Sequence, residues 1–294
     1  MSTPEPIDAA NQAIGPALAE FTRRISLELA GTTPELPSFP EVAVRVRRAL
    51  GQDDISIDEV VRIVSAEPSL AVRLLQLSNS VALNPGAQRV TTLRAAIARM
   101  GFNLARSATI AFAMSQMRRA DAWRGLEKRF RAIWESSARL AAMSYSLARH
   151  CDRADADQAL LAGMLSAIGK LFVMTRVNAF PALLGDAAMY AEIENVWHAR
   201  AGRALLTRWE LDGEVIDAAC DFGSAKEEGQ DVTLSDVLLA AHHLAGVRDA
   251  SELAGAVFLG APSFKRLGVD TTDAAGVLNA SAAEITSLRA ALAD

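Results

Sequence analysis

The chain has 294 residues, 51% of them hydrophobic, enough for one large domain or two ordinary ones around a sizeable core. Its formal charge of -5 and isoelectric point near 5.5 argue against a sequence-independent grip on nucleic acid, which needs a basic excess, and leave room only for a local basic patch. Two cysteines, Cys151 and Cys220, are too few for a disulfide framework and stand in no metal-binding spacing, which fits a reducing cytoplasm.

The opening MSTPEPIDAANQAIG carries acidic residues where a signal peptide carries positive charge, and it lacks that peptide's apolar core. No uninterrupted apolar run of about 18 residues occurs, so membrane insertion is not expected. Alanine and leucine dominate, alternating strand patterns are missing, and the chain reads as all-α. Residues 1 to about 10, with Pro4 and Pro6 among polar neighbours, read as a disordered tail. Ile14, Leu18, Phe21, Ile25 and Leu29 then share one helical face, so residues 1–35 form a tail and a first helix.

Pro37 and Pro40 in LPSFP disfavour the helical conformation before each of them and predict an extended arm. A short helix over Val42 to Leu50 follows. Ser56 with Glu59 forms a candidate capping box for a helix over Ile57 to Ser65, and Pro68 suits the first position of the next, where a missing amide costs little. Leu70, Leu74, Leu77 and Val81 give that helix its buried stripe. Asn84-Pro85-Gly86 is a turn, Thr92 a candidate cap, and Leu93 to Met100 a helix closed by Gly101, with another running on to Met117. Residues 36–117 thus read as one subdomain of short helices.

Residues 118–131 hold six basic and two acidic side chains and read as a connector, whose Arg118, Arg119 and Arg124 are either a solvated face or a partner contact. Over 132–294 helices are expected at Ala132 to His150, Leu160 to Thr175, Glu192 to Trp209, Glu214 to Cys220, Leu234 to Leu244, Ser251 to Leu259 and Ala282 to Leu292. Asn79, between two serines at a helix end, is placed to close that end or to tie neighbouring backbones through its amide.

Three stretches together resemble the HDOD family, degenerate relatives of the HD phosphohydrolases: LPSFPEVAVRVRRAL at 36–50; SIDEVVRIVSAEPSLAVRLLQLSNS at 56–80 with TTLRAAIARMG at 91–101; and LAGMLSAIGKL at 161–171 with HARAGRALLTRWEL at 198–211. The resemblance implies a helical bundle with an N-terminal short-helix subdomain and a degenerate HD-like half. Pro37, Pro40, Pro68, Asn79, Gly101, Gly163, Gly169, His198, Gly202 and Trp209 are its structural positions. It further implies a non-enzymatic bacterial signalling module that works by protein–protein interaction, in settings linked to cyclic di-GMP turnover or chemosensing.

An HD enzyme needs a histidine, an adjacent His-Asp pair and a later aspartate to hold divalent metal, which turns water into a nucleophile. Carried over by resemblance, those positions fall at Ser136, at Ser166 with Ala167, and near His242, a set with almost no donor chemistry left. No metal, no cofactor and no catalytic residue is therefore expected. A lone His198 supplies one ligand of several needed, and adjacent His242 and His243 point about 100° apart on a helix and cannot chelate one ion. His150 sits at a helix end, where its charge suits the dipole. The P-loop and nucleophile-elbow motifs are absent.

Three functions stay open on the sequence: a non-enzymatic module for an unidentified signalling protein, a sensor holding a small ligand such as a nucleotide in the emptied pocket, and a residual metal-dependent phosphohydrolase. The input is expected in the groove between the two helical halves, where Trp123, Trp134, Trp197 and Trp209 are candidates for the lining.

Overall fold

A computed structural model describes residues 6–31, 43, 45, 46, 49, 55–79, 89–117, 123–209, 211–223 and 231–292. All regular structure among them is helical. Pro37, Pro40, Arg118 and Arg119 lie outside the described residues, as does the Asn84-Pro85-Gly86 turn.

Helix α1 spans Pro6–Ala30 and starts earlier than the sequence suggests, since Pro6 has no amide to leave unbonded at a helix start. It packs on the C-terminal half. Phe21 meets Phe180 edge-on at 5.7 Å, and the Glu28 carboxylate accepts from the Arg176 guanidinium at 3.0 Å.

Helix α2 (Ile57–Ser65) is capped by Ser56, whose hydroxyl accepts the Glu59 amide at 3.2 Å, and α3 (Pro68–Ser78) begins on its proline. Helix α4 (Leu93–Met117) breaks at Gly101, where φ of 73° is a conformation that only glycine adopts without strain. The buried faces of these helices, Val60, Val64, Leu70, Leu74 and Ile97, form one core that continues into Ala138, Ala141, Leu160 and Met164. Asn79 staples its rim: the side-chain amide donates to the Leu75 and Val90 carbonyls and accepts the Val90 amide, each at 2.8 Å.

Helix α5 spans Glu127–Cys151, so regular structure already begins inside the basic segment. There Arg129 donates to the Leu184 carbonyl at 2.8 Å and lies over the Tyr190 ring, which commits that cation to the fold. Trp123 is fully buried and meets Phe130 edge-on at 4.8 Å.

The stretch expected as one helix over Leu160 to Thr175 is two. Helix α6 (Ala156–Leu165) and α7 (Ala167–Val177) meet at Ser166, whose hydroxyl donates to the Gly163 carbonyl at 2.7 Å, a local bond that competes with the helical ladder. By length and composition Ala156–Val177 could cross a bilayer; here it is divided at Ser166 and is mostly buried, as a core element is.

Helices α8 (Pro181–Gly185), α9 (Ala187–Arg208), α10 (Gly213–Asp221) and α11 (Leu234–Ala245) complete the second core around α6 and α7. The expected helix over Ser251 to Leu259 is instead two short 3₁₀ turns, Ala250–Leu253 and Val257–Gly260, separated by Gly255 at φ 81°. Helix α12 (Pro262–Leu267) ends at left-handed Gly268, and α13 spans Thr271–Leu292, well before the expected start at Ala282. The longer helix starts on Asp270, whose carboxylate accepts the Thr272 and Asp273 amides, and Asp273 in turn meets His150 at 2.9 Å.

Candidate functional site

Small residues decide how closely the helices of the second half approach. A Cβ on Gly163 would stand 2.5 Å from the Ala141 Cα, and one on Gly169 would stand 1.9 Å from the His198 carbonyl oxygen. On the facing helix a Cβ on Gly202 would meet the Cys220 sulfur at 3.0 Å. Helices α7 and α9 therefore touch backbone to backbone at Gly169 and Gly202. Trp209 closes α9 as its C-terminal cap and packs against the same core.

Beside this crossing opens a cavity of about 680 Å³. Helix α5 lends it Ser136, Arg139 and Leu140; the α6–α7 junction lends Ser166 and Lys170; α9 lends Asn195 and His198. The end of α10 contributes Cys220, Asp221 and Phe222, and α11 contributes His242. Three of the four emptied HD positions, Ser136, Ser166 and His242, thus converge on one space. Ala167 does not: it is turned into the core and is 2% exposed.

The polar groups are few and oriented. His198 Nδ1 lies 2.8 Å from the Glu194 carbonyl and donates to it, which leaves Nε2 as the acceptor of the neutral ring. Lys170 Nζ sits 3.5 Å from Glu194 Oε1, beyond good hydrogen-bond length, and Arg139 reaches the Ala245 carbonyl at 3.3 Å. The His242 ring lies 5.4 Å from Phe222; partial burial there, then His243 and the Lys170 ammonium, hold its pKa below the ordinary histidine value. Burial pushes the Cys220 thiol up to about 12, opposed by Arg203 and aided by Asp217 and Asp221, so it is a protonated wall group and no nucleophile.

A divalent ion does not fit this donor set. Among the described residues no three His, Cys, Asp or Glu side chains converge, and the positions an HD enzyme fills with imidazole and carboxylate hold two hydroxyls, a methyl and one imidazole. His243 faces away from His242's cavity and stacks on Phe258 at 5.4 Å.

The cavity lies at the emptied pocket and not in the groove between the halves. Its described lining comes wholly from residues 136–246, inside the second half, while between the halves Leu77, Leu104, Leu160 and Met164 enclose only about 10 Å³ of apolar space. None of the four tryptophans lines it. Arg139 and Lys170 escaped sequence reading, although each stands one helical turn after an emptied position, Ser136 and Ser166.

Residues 36–221 match the HDOD domain family. The chain belongs to the HDOD family. Its fold recurs in a protein from Shewanella amazonensis SB2B that carries the provisional name metal-dependent phosphohydrolase, with TM-score 0.66 and 23% identity over 92% of this chain and 98% of that one. It recurs again in an HDOD domain protein of unknown function from Geobacter sulfurreducens, with TM-score 0.62 and 19% identity over 93% and 98%. A Treponema pallidum (strain Nichols) protein, named only as uncharacterized, is 23% identical over 214 residues, 67% of this chain and 39% of its own length. This HDOD chain therefore spans well under half of that relative.

Proposed function

We propose that this HDOD protein is a signalling output module without hydrolytic chemistry, acting on a partner protein through its surface. One observation carries the reading. The cavity where an HD enzyme would hold its metal is intact as a space, yet Ser136, Ser166 and Ala167 supply no imidazole or carboxylate there. A link to cyclic di-GMP or chemosensory signalling rests on the family alone. A partner contact through the basic segment would use Arg118, Arg119 and Arg124; Arg129 of that segment is engaged within the fold.

A second reading is favoured by the cavity's volume, which lies within the range of small-molecule sites: the pocket holds a ligand without cleaving it and so serves as the input. The test of the first reading is a hydrolysis assay with cyclic dinucleotides and nucleotides in added manganese or zinc. No turnover above buffer is expected. Turnover that disappears in His198→Ala or His242→Ala would overturn it.

A further inference from the structure

We infer that the cavity takes a phosphate-bearing small molecule, gripped by Arg139 and Lys170 and of about nucleoside-monophosphate size. The inference rests on the reading of this space as a ligand site and adds the ligand's chemistry.

Charge comes first. The chain carries a net -5 and so repels anions at long range, yet the described lining sets two cations, Arg139 and Lys170, against Asp221, with Glu194 3.5 Å behind Lys170. Both cations are under-used by the protein. Arg139 donates one bond of 3.3 Å to the Ala245 carbonyl and pairs with no carboxylate among the described residues, although a guanidinium has five donors. Lys170 has Glu194 at 3.5 Å, looser than a hydrogen bond. A fork of donors beside a point charge suits a tetrahedral oxyanion, whose several oxygens can engage both at once.

The rest of the lining gives the ligand a direction. Asp221 and Phe222 stand at the C-terminal end of α10, where the helix dipole is negative, so an anionic group is disfavoured on that side. The Phe222 ring and Leu140 offer apolar wall, while Asn195 and the accepting Nε2 of His198 offer neutral polar contacts. A molecule with a phosphate at one end and an uncharged body carrying hydroxyls at the other matches that gradient.

The test is calorimetric titration of the full chain at pH 7.5 and constant ionic strength. The probes are the four ribonucleoside 5′-monophosphates, their nucleosides, inorganic phosphate and citrate. Saturable binding of at least one monophosphate is expected, with its nucleoside at least tenfold weaker. Arg139→Gln and Lys170→Gln should each weaken it about tenfold, the loss of one charge-assisted contact, while Lys170→Arg retains it. Thermal melts establish that the variants fold, and should either glutamine variant fail, Arg139→Lys and Lys170→Arg carry the comparison.

No saturable heat from any phosphate-bearing probe at millimolar concentration would overturn the inference, as would full affinity in both glutamine variants. A nucleoside that binds as tightly as its monophosphate, or citrate that outcompetes every phosphate, would sink the phosphate assignment and leave the ligand-site reading standing. Cleavage of a bound monophosphate on adding manganese would overturn only the non-hydrolytic reading, because a phosphate must be held before it is cut.

Discussion

Helices α7 and α9 meet in two ways within a few residues of each other. At Gly169 and Gly202 they fit backbone against backbone, so that a single Cβ would land 1.9 Å from the His198 carbonyl oxygen. Beside that crossing Ser166, Lys170 and His198 draw back around a cavity of about 680 Å³. The crossing holds the helices together and leaves no room for an added Cβ at Gly169; the cavity wall is less closely packed, although Ser166 and Arg139 on it also bond backbone carbonyls. Side chains on such a wall can therefore be exchanged while the helices keep their places.

The contrast is tested hardest at the crossing. Gly169→Ala should destabilise the protein by about 3 kcal/mol or more, because the obstructing atom is backbone and cannot swing away. Gly202→Ala meets the Cys220 sulfur at 3.0 Å instead, and a side chain can turn, so a loss of about 1 to 2 kcal/mol is expected. Urea unfolding of the two variants gives the order. Equal losses would show that the two glycines yield alike and that α7 can lift off α9 at little cost.

What was legible in the sequence follows the same division. Features held by local chemistry were readable: the Ser56 cap, Pro68 at a helix start, the break at Gly101, and the amide of Asn79 as a tie between backbones. The division at Ser166 was not, because LLAGMLSAIGKLFVMT is apolar over most of its length and Ser166 itself keeps helical dihedrals, so periodicity runs through it. The resemblance named Ser136, Ser166, Ala167 and His242, and three of these share the cavity. It could not show that Ala167 faces the core, nor that Arg139 and Lys170 join from two different helices, because only tertiary packing brings those turns together.

A smaller effect distinguishes the cavity by its titration. His242 is held below the ordinary histidine value by partial burial, then by His243 and Lys170. At pH well above that value the ring is neutral in both the folded and unfolded states. As pH falls through the ordinary value, about 6.5, the unfolded chain takes up its proton first, and stability declines until pH passes below the folded value. His242→Gln should remove that part of the decline in denaturation curves between pH 8 and 5. An anion among Arg139, Lys170, His198 and His242, with Asp221 and Glu194 opposing, favours the imidazolium. Sulfate, whose charge is constant over this range, should therefore bind more tightly at pH 6 than at pH 8 in the wild type. An affinity that stays flat, or that rises equally in His242→Gln, would separate His242 from the anion site.

The smallest expected effect is at Ser136, the first emptied position. Its side chain is exposed on α5 and makes no hydrogen bond among the described residues, so Ser136→Ala should change stability by less than about 0.5 kcal/mol. Ser166 differs, because its hydroxyl donates to the Gly163 carbonyl at the junction of α6 and α7 and Ser166→Ala forfeits a bond worth about 1 kcal/mol. If Ser136→Ala proved as costly as Gly202→Ala, the wall would be bearing structure after all, and its side chains would not be free to exchange. If it is silent while Ser166→Ala is not, then the two serines that stand where an enzyme would place ligands differ in role: one lines the cavity, and the other also bonds the junction of α6 and α7.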